Sequence, residues 1–126
     1  MSEPLRGVVV SHADLARAFV DAVERITGRR DGLVAVSNEG CSREALEARV
    51  ADAVGNAPAV VFVDLPSGSC LQASAHYLQT HENVAVVAGV NLAMLVDFLY
   101  HRDTSPREAA ERASSTAQRT VRVLTR

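Results

Sequence analysis

The sequence predicts a single α/β domain over residues 1–126, a three-layer sandwich with a mainly parallel central sheet. Three observations lead there. Four short apolar runs recur (Val8–Val10, Leu33–Val36, Ala59–Val63 and Val84–Ala88), and they are nearly continuous rather than alternating. Continuous apolar strands are the mark of a sheet covered on both faces. Segments of helical periodicity separate the runs, which is the alternation that produces parallel strands with right-handed crossovers. The length suits one domain with its own core, and 48% hydrophobic with 22% charged residues is an ordinary globular balance.

The elements follow in order. After the first strand, Leu15, Phe19, Ala22, Val23 and Ile26 share one predicted inward face, with Asp14, Arg17, Asp21 and Glu24 opposite and Gly28 as C-cap. The second helix is predicted to start after Ser42, with Leu46, Val50 and Val54 inward. A third covers about Gly68–Thr80. The fourth, from Asn91, is apolar almost all round (Leu92, Met94, Leu95, Val96, Phe98, Leu99), as expected of a helix buried inside the domain or against another subunit. Ser105–Glu108, "SPRE", is a capping box with proline at the first helical position, and it opens a fifth helix. Thr120–Leu124, "TVRVL", alternates and reads as an edge strand.

Composition narrows the function. A net charge of −2 gives no footprint for nucleic acid. No apolar run approaches the roughly 18 residues that span a bilayer. The opening MSEPLRG lacks an apolar signal core, so a cytoplasmic location is expected. All thirteen basic residues are arginine, which excludes a Schiff-base lysine and a Walker A loop. Cys41 and Cys70 match no metal-ligand spacing and are expected as reduced thiols; no metal or other cofactor is implied.

In an open α/β sheet, sites form beyond the carboxyl ends of the strands, where the strand order reverses. In a flavodoxin-like order that point lies between the first and third strands. The first ends in Ser11-His12, and the third in Asp64 followed by "LPSGS" with Gly68 and Ser69 opening a helix. Neutral imidazole is a nucleophile with a free lone pair. A carboxylate bound to one ring nitrogen fixes the tautomer and aims the other outward. Open N–H groups at a helix start, beside a serine hydroxyl, cradle phosphate oxygens. Together these suit phosphoryl transfer. His76, His81 and His101 read as solvated surface residues and Cys41 as a loop thiol. Cys70, at a helix N-terminus that lowers a thiol pKa, leaves open a hydrolase or reductase with a cysteine nucleophile.

Three stretches, "GVVVSHADLARAFVDAVERITG", "VVFVDLPSGS" and "VAVVAGVNLAMLVDFLYHRD", resemble the enzyme IIA component of the mannose-family bacterial sugar phosphotransferase system. The resemblance covers nearly the whole chain, and "AGVN" ahead of an apolar helix is its most specific part. It implies a phosphohistidine relay: His12 accepts phosphate from the phosphocarrier HPr and passes it to a IIB component. By position, Asp64 orients the histidine, and Gly68 and Ser69 belong to the turn that cradles the phosphate. It further implies a homodimer in which the final strand is exchanged, and contact with the membrane only through transporter components. The family pattern commonly has glycine after the histidine, where Ala13 stands here. Its turn commonly has two glycines, then serine-proline and a nearby asparagine, where this chain has Pro66, Ser67, Cys70 and Gln72. A regulatory phosphoacceptor uncoupled from transport is the alternative role.

Overall fold

The computed structural model describes residues 4–126; Met1–Glu3, part of the MSEPLRG opening, lie outside the described residues. The chain runs β1 (Arg6–Ser11), α1 (Leu15–Thr27), β2 (Leu33–Ser37), α2 (Arg43–Val54), β3 (Ala59–Val63), α3 (Ser69–Leu78), β4 (Val84–Ala88), α4 (Leu92–Leu99) and α5 (Pro106–Thr120). The four strands form one all-parallel sheet in the order β2-β1-β3-β4. The order reverses between β1 and β3, as the sequence predicts.

Alternation along β1 and β3 explains why their apolar runs are unbroken. Val8, Val10, Val61 and Val63 point to one face and pack with Leu46, Val50 and Val54 of α2 and with Cys70, Ala73 and Tyr77 of α3. Val9, Val60 and Phe62 point to the other, against Ala16 and Val23 of α1, Met94, Leu95, Phe98 and Leu99 of α4, and Ala109 and Ala113 of α5. Phe62 meets Phe98 edge to face at 5.2 Å, a geometry that adds to simple burial. Gly7 makes this packing possible: a Cβ there would stand 2.6 Å from Leu33 Cδ2 and 2.7 Å from Phe98 Cε2.

The predicted caps are present. The Ser42 hydroxyl accepts from the Ala45 N–H at 3.1 Å, and that of Ser105 from the Glu108 N–H at 3.1 Å. Asn91 caps α4 by accepting from the Met94 N–H at 2.9 Å. Just before it, the Gly89 and Val90 N–H groups both donate to the Val63 carbonyl at 2.9 Å. That fork ties the end of β4 to the end of β3, one residue before Asp64.

Three expectations change. The buried stripe of α1 is Ala16 and Val23 with Phe19 and Val20 packed beside them, whereas Leu15 and Ile26 are 44% and 59% exposed. Second, β2 is an edge strand, so Val34 and Ala35 keep solvent contact despite their apolar run. Third, within the chain Val121–Leu124 pairs with no strand; α5 extends through Thr120, and Val123 and Leu124 are 86% and 90% exposed. The apolar α4 likewise buries Met94, Leu95, Phe98 and Leu99 but leaves Leu92 and Val96 only partly covered. No described helix is long and apolar enough to cross a membrane.

Candidate functional site

His12 follows β1, Asp64 follows β3, and Gly68-Ser69 opens α3, so the predicted residues meet above the point where strand order reverses. One carboxylate oxygen of Asp64 holds the histidine twice. It accepts the His12 backbone N–H at 2.9 Å, and it lies 2.8 Å from ring Nδ1. An ionised carboxylate can only accept, so the proton of the second contact sits on Nδ1, and in the neutral ring the lone pair is on Nε2. The His12 side chain is 45% exposed and that of Asp64 is 8% exposed. Burial opposes ionisation of Asp64, but the backbone N–H, the ring and the charge of His12 together outweigh it. The carboxyl is held below the ordinary carboxylate value.

Nε2 faces the turn after β3. A Cβ built on Gly68 would lie 4.0 Å from Nε2 and 3.9 Å from Cε1, space that a group bonded to Nε2 would need. Gly68 has φ 92° and offers no side-chain cap to α3. The N–H groups of the first turn of α3 are therefore left for an anion rather than for a capping oxygen. His12, Asp64, Gly68 and Ser69 come together as the sequence predicts.

Two residues of the site were not singled out from the sequence. Asn38, just beyond β2, accepts the Ala13 N–H on its side-chain oxygen at 3.2 Å and donates its amide to Ser69 Oγ at 3.2 Å. Its own N–H donates to the Ser11 carbonyl at 3.0 Å. Asn38 thus joins the histidine loop to the Gly68-Ser69 turn. The available signal was its position at the carboxyl end of a strand adjacent to β1. Ser11 is fully buried; its Oγ accepts the Ala16 N–H at 2.6 Å and donates to the His12 carbonyl at 3.2 Å. It fixes the start of α1 in place of Asp14, whose side chain makes no cap.

Ala13 adopts φ 51°, alone among the described non-glycine residues in having a positive φ. Here a methyl group is held in the left-handed region, which costs an L-residue roughly 1–2 kcal/mol. Ala13→Gly removes that strain at the expense of a more flexible unfolded chain, so a net gain of about 0.5–1 kcal/mol is expected. Thermal unfolding should register it as a rise of roughly 2–4 °C; an unchanged or lower midpoint would show that Ala13 is not strained.

The remaining candidates separate cleanly. Cys70 does reach the site, with Sγ 3.9 Å from His12 Nδ1, but it is fully buried. Burial, and then the charge of Asp64, push its thiol up to about 11, the reverse of the lowering expected for a helix N-terminus. A thiol so placed is a poor nucleophile, which removes the ground for a cysteine-dependent hydrolase or reductase. His76 pairs with Glu47, His81 stacks on Tyr77 at 3.8 Å, and His101 faces Asp97 at 3.5 Å, all away from the site.

Comparison with known proteins gives a consistent picture. The sequence model of the family described as "PTS system fructose IIA component" matches residues 7–114. No curated protein sequence matches the chain. Among solved structures, the mannose/sorbose-specific IIA subunit of the phosphotransferase system from Enterococcus faecalis superposes with a TM-score of 0.85 at 22% identity, covering 98% of this chain and 97% of its own. Component EIIA from Streptococcus agalactiae gives 0.87 at 17% identity, with 94% and 96% covered. The IIA protein associated with the fucose utilization operon of Streptococcus pneumoniae gives 0.74 at 20% identity, with 98% and 96% covered. At these identities the structural likeness establishes a shared fold.

Proposed function

Because the chain belongs to the family of phosphotransferase-system IIA components of the fructose and mannose type, we propose that it is a phosphohistidine carrier, taking phosphate from HPr onto His12 and passing it to a IIB component. The observation that carries this reading is the 2.8 Å contact between His12 Nδ1 and Asp64, which leaves the Nε2 lone pair directed at the Gly68-Ser69 turn.

The transfer follows from that geometry. The Nε2 lone pair attacks the phosphorus of the donor's phosphohistidine. The donor P–N bond breaks as the new one forms, and its electron pair returns to the donor imidazole. Positive charge develops on the His12 ring, and Asp64, already bound to Nδ1–H, stabilises it without taking the proton. The first-turn N–H groups of α3 and the Ser69 hydroxyl face the phosphoryl oxygens. Asn38 holds Ser69 in place as a positioning residue. Onward transfer to a IIB component is the same displacement with the roles exchanged.

The test is label transfer from phosphoenolpyruvate through enzyme I and cognate HPr. An acid-labile, base-stable label on the protein, released on adding a IIB component, is the expected result. No label on the folded protein would overturn the proposal. A label that HPr delivers but no IIB component removes would instead favour the regulatory phosphoacceptor.

A cytoplasmic homodimer is part of the same reading. The unpaired apolar Val121–Leu124 segment and the open edge of β4 supply a strand and a place for it, and Ile26, Leu92, Val96 and Tyr100 form an apolar face beside α4. Sedimentation at micromolar concentration should give a dimer, and deleting residues 121–126 should give monomers; a monomeric full-length chain would rule the exchange out.

A further inference from the structure

Beneath the reacting face of His12, the histidine and Asp64 are joined by a third donor, Cys70, that the phosphoryl reading leaves unused. The His12 ring, one Asp64 carboxylate oxygen and Cys70 Sγ offer ligand atoms within 4.8 Å of one another. They come from three different segments: the loop after β1, the loop after β3 and the first turn of α3. Oδ1 of Asp64 is buried and has no hydrogen-bond partner, although the side chain is 92% withdrawn from solvent. Buried carboxylate oxygens are ordinarily satisfied. The carboxylate that carries this unsatisfied oxygen stands in the cluster with the imidazole and the sulfur, so it keeps capacity for a cation.

We propose that His12, Asp64 and Cys70 form an exchangeable zinc site, and that the bound ion switches off phosphoryl acceptance. The donor set selects the ion. A thiolate with an imidazole favours Zn²⁺ over Mg²⁺ or Ca²⁺, and three protein ligands leave the fourth position of a tetrahedral zinc to water.

The required movement is small. Nitrogen and oxygen ligands of a tetrahedral Zn²⁺ stand roughly 3.4 Å apart, and nitrogen and sulfur roughly 3.6 Å, from bond lengths of about 2.1 and 2.3 Å. The present separations are 2.8 Å to Asp64 Oδ2 and 3.9 Å to Cys70 Sγ. The first must lengthen by about 0.6 Å and the second shorten by about 0.3 Å, and the half-exposed His12 ring is the donor with room to move.

The consequence for the carrier is chemical. Zn²⁺ takes the position of the Nδ1 proton, which relocates to Nε2, while the Cys70 thiol gives its proton to solvent. Nε2 then carries hydrogen instead of a lone pair and cannot attack phosphorus. This regulatory step rests on the phosphoryl-carrier reading; binding of the ion does not.

Equilibrium dialysis with Zn²⁺ and spectroscopy with Co²⁺, on the full chain, test the site without any phosphorylation. One ion per chain and a thiolate-to-cobalt charge-transfer band are expected. Cys70→Ser should abolish the band and weaken Zn²⁺ binding beyond the roughly 10–100-fold that loss of an outer-shell partner costs. Cys70→Ala, which buries no hydroxyl, repeats the test if the serine variant does not fold. Zn²⁺ should stop label uptake by the wild type, and the same concentration should inhibit Cys70→Ala far less, each against its own metal-free rate. Absence of stoichiometric binding, a cobalt spectrum without the thiolate band, or equal Zn²⁺ inhibition of the two proteins would overturn the proposal. Failure of the carrier reading would show differently, as no label on the wild type without metal.

Discussion

His12→Ala is expected to reduce the acid-labile phosphate label to background while the protein remains folded. The loss should be complete because the other three histidines lie outside the site, engaged with Glu47, Tyr77 and Asp97. The fold should survive because the main-chain half of the His12–Asp64 contact needs no imidazole: the N–H of residue 12 still donates to Asp64. The ring is half exposed, so deleting it opens a notch to solvent instead of a closed cavity. Label counting, with circular dichroism as a control for folding, checks both halves. Undiminished label on a folded His12→Ala protein would move the acceptor elsewhere.

Asp64→Asn should slow phosphorylation by about 10²–10⁴-fold while keeping the side chain's shape. The carboxylate fixes the proton on Nδ1 and offsets the charge that grows on the ring; an amide does neither dependably. If its NH₂ group turns towards Nδ1, the ring proton is driven to Nε2 and the nucleophile is lost. Single-turnover label uptake reads the rate, and nitrogen NMR of the His12 ring reads the tautomer. A rate within threefold of the wild type would remove Asp64 from the reaction. Acid unfolding supplies a further check. A carboxyl whose folded pKa lies below its ordinary value of 3.8 stabilises the native state above that value, and the contribution is lost as pH falls through the lower folded value. Asp64→Asn should lack that part of the acid dependence.

The strands were legible because their patterning is a local property. The Val8–Val10 and Ala59–Val63 runs are buried on both faces, so both parities along the strand are apolar. Helix starts at Ser42, Asn91 and Ser105 were legible for a similar reason, since each cap bonds within its own first turn. The inward face of α1 was misjudged because Leu15 and Ile26 fit the helical period as well as Ala16 and Val23 do. Which stripe is buried depends on how the helix is seated on the sheet, and periodicity carries no information about that.

The same division holds at the site. His12, Asp64, Gly68 and Ser69 could be chosen from the sequence because strand ends at a reversal of strand order are placed by topology alone. Asn38 and Ser11 could not, since each acts through hydrogen bonds that exist only once three loops have come together. The chemistry of Cys70 also waited on the tertiary structure. Its helix start would lower the thiol pKa, but full burial and the neighbouring Asp64 charge act in the opposite direction and prevail. The sequence by itself therefore determined the fold, the order of the strands and the pairing of His12 with Asp64, all of which follow from short-range pattern and chain topology. Only the tertiary structure decided which ring nitrogen is free, which thiol is a poor nucleophile and which backbone angle is strained, because those depend on distances and burial between segments far apart in the chain.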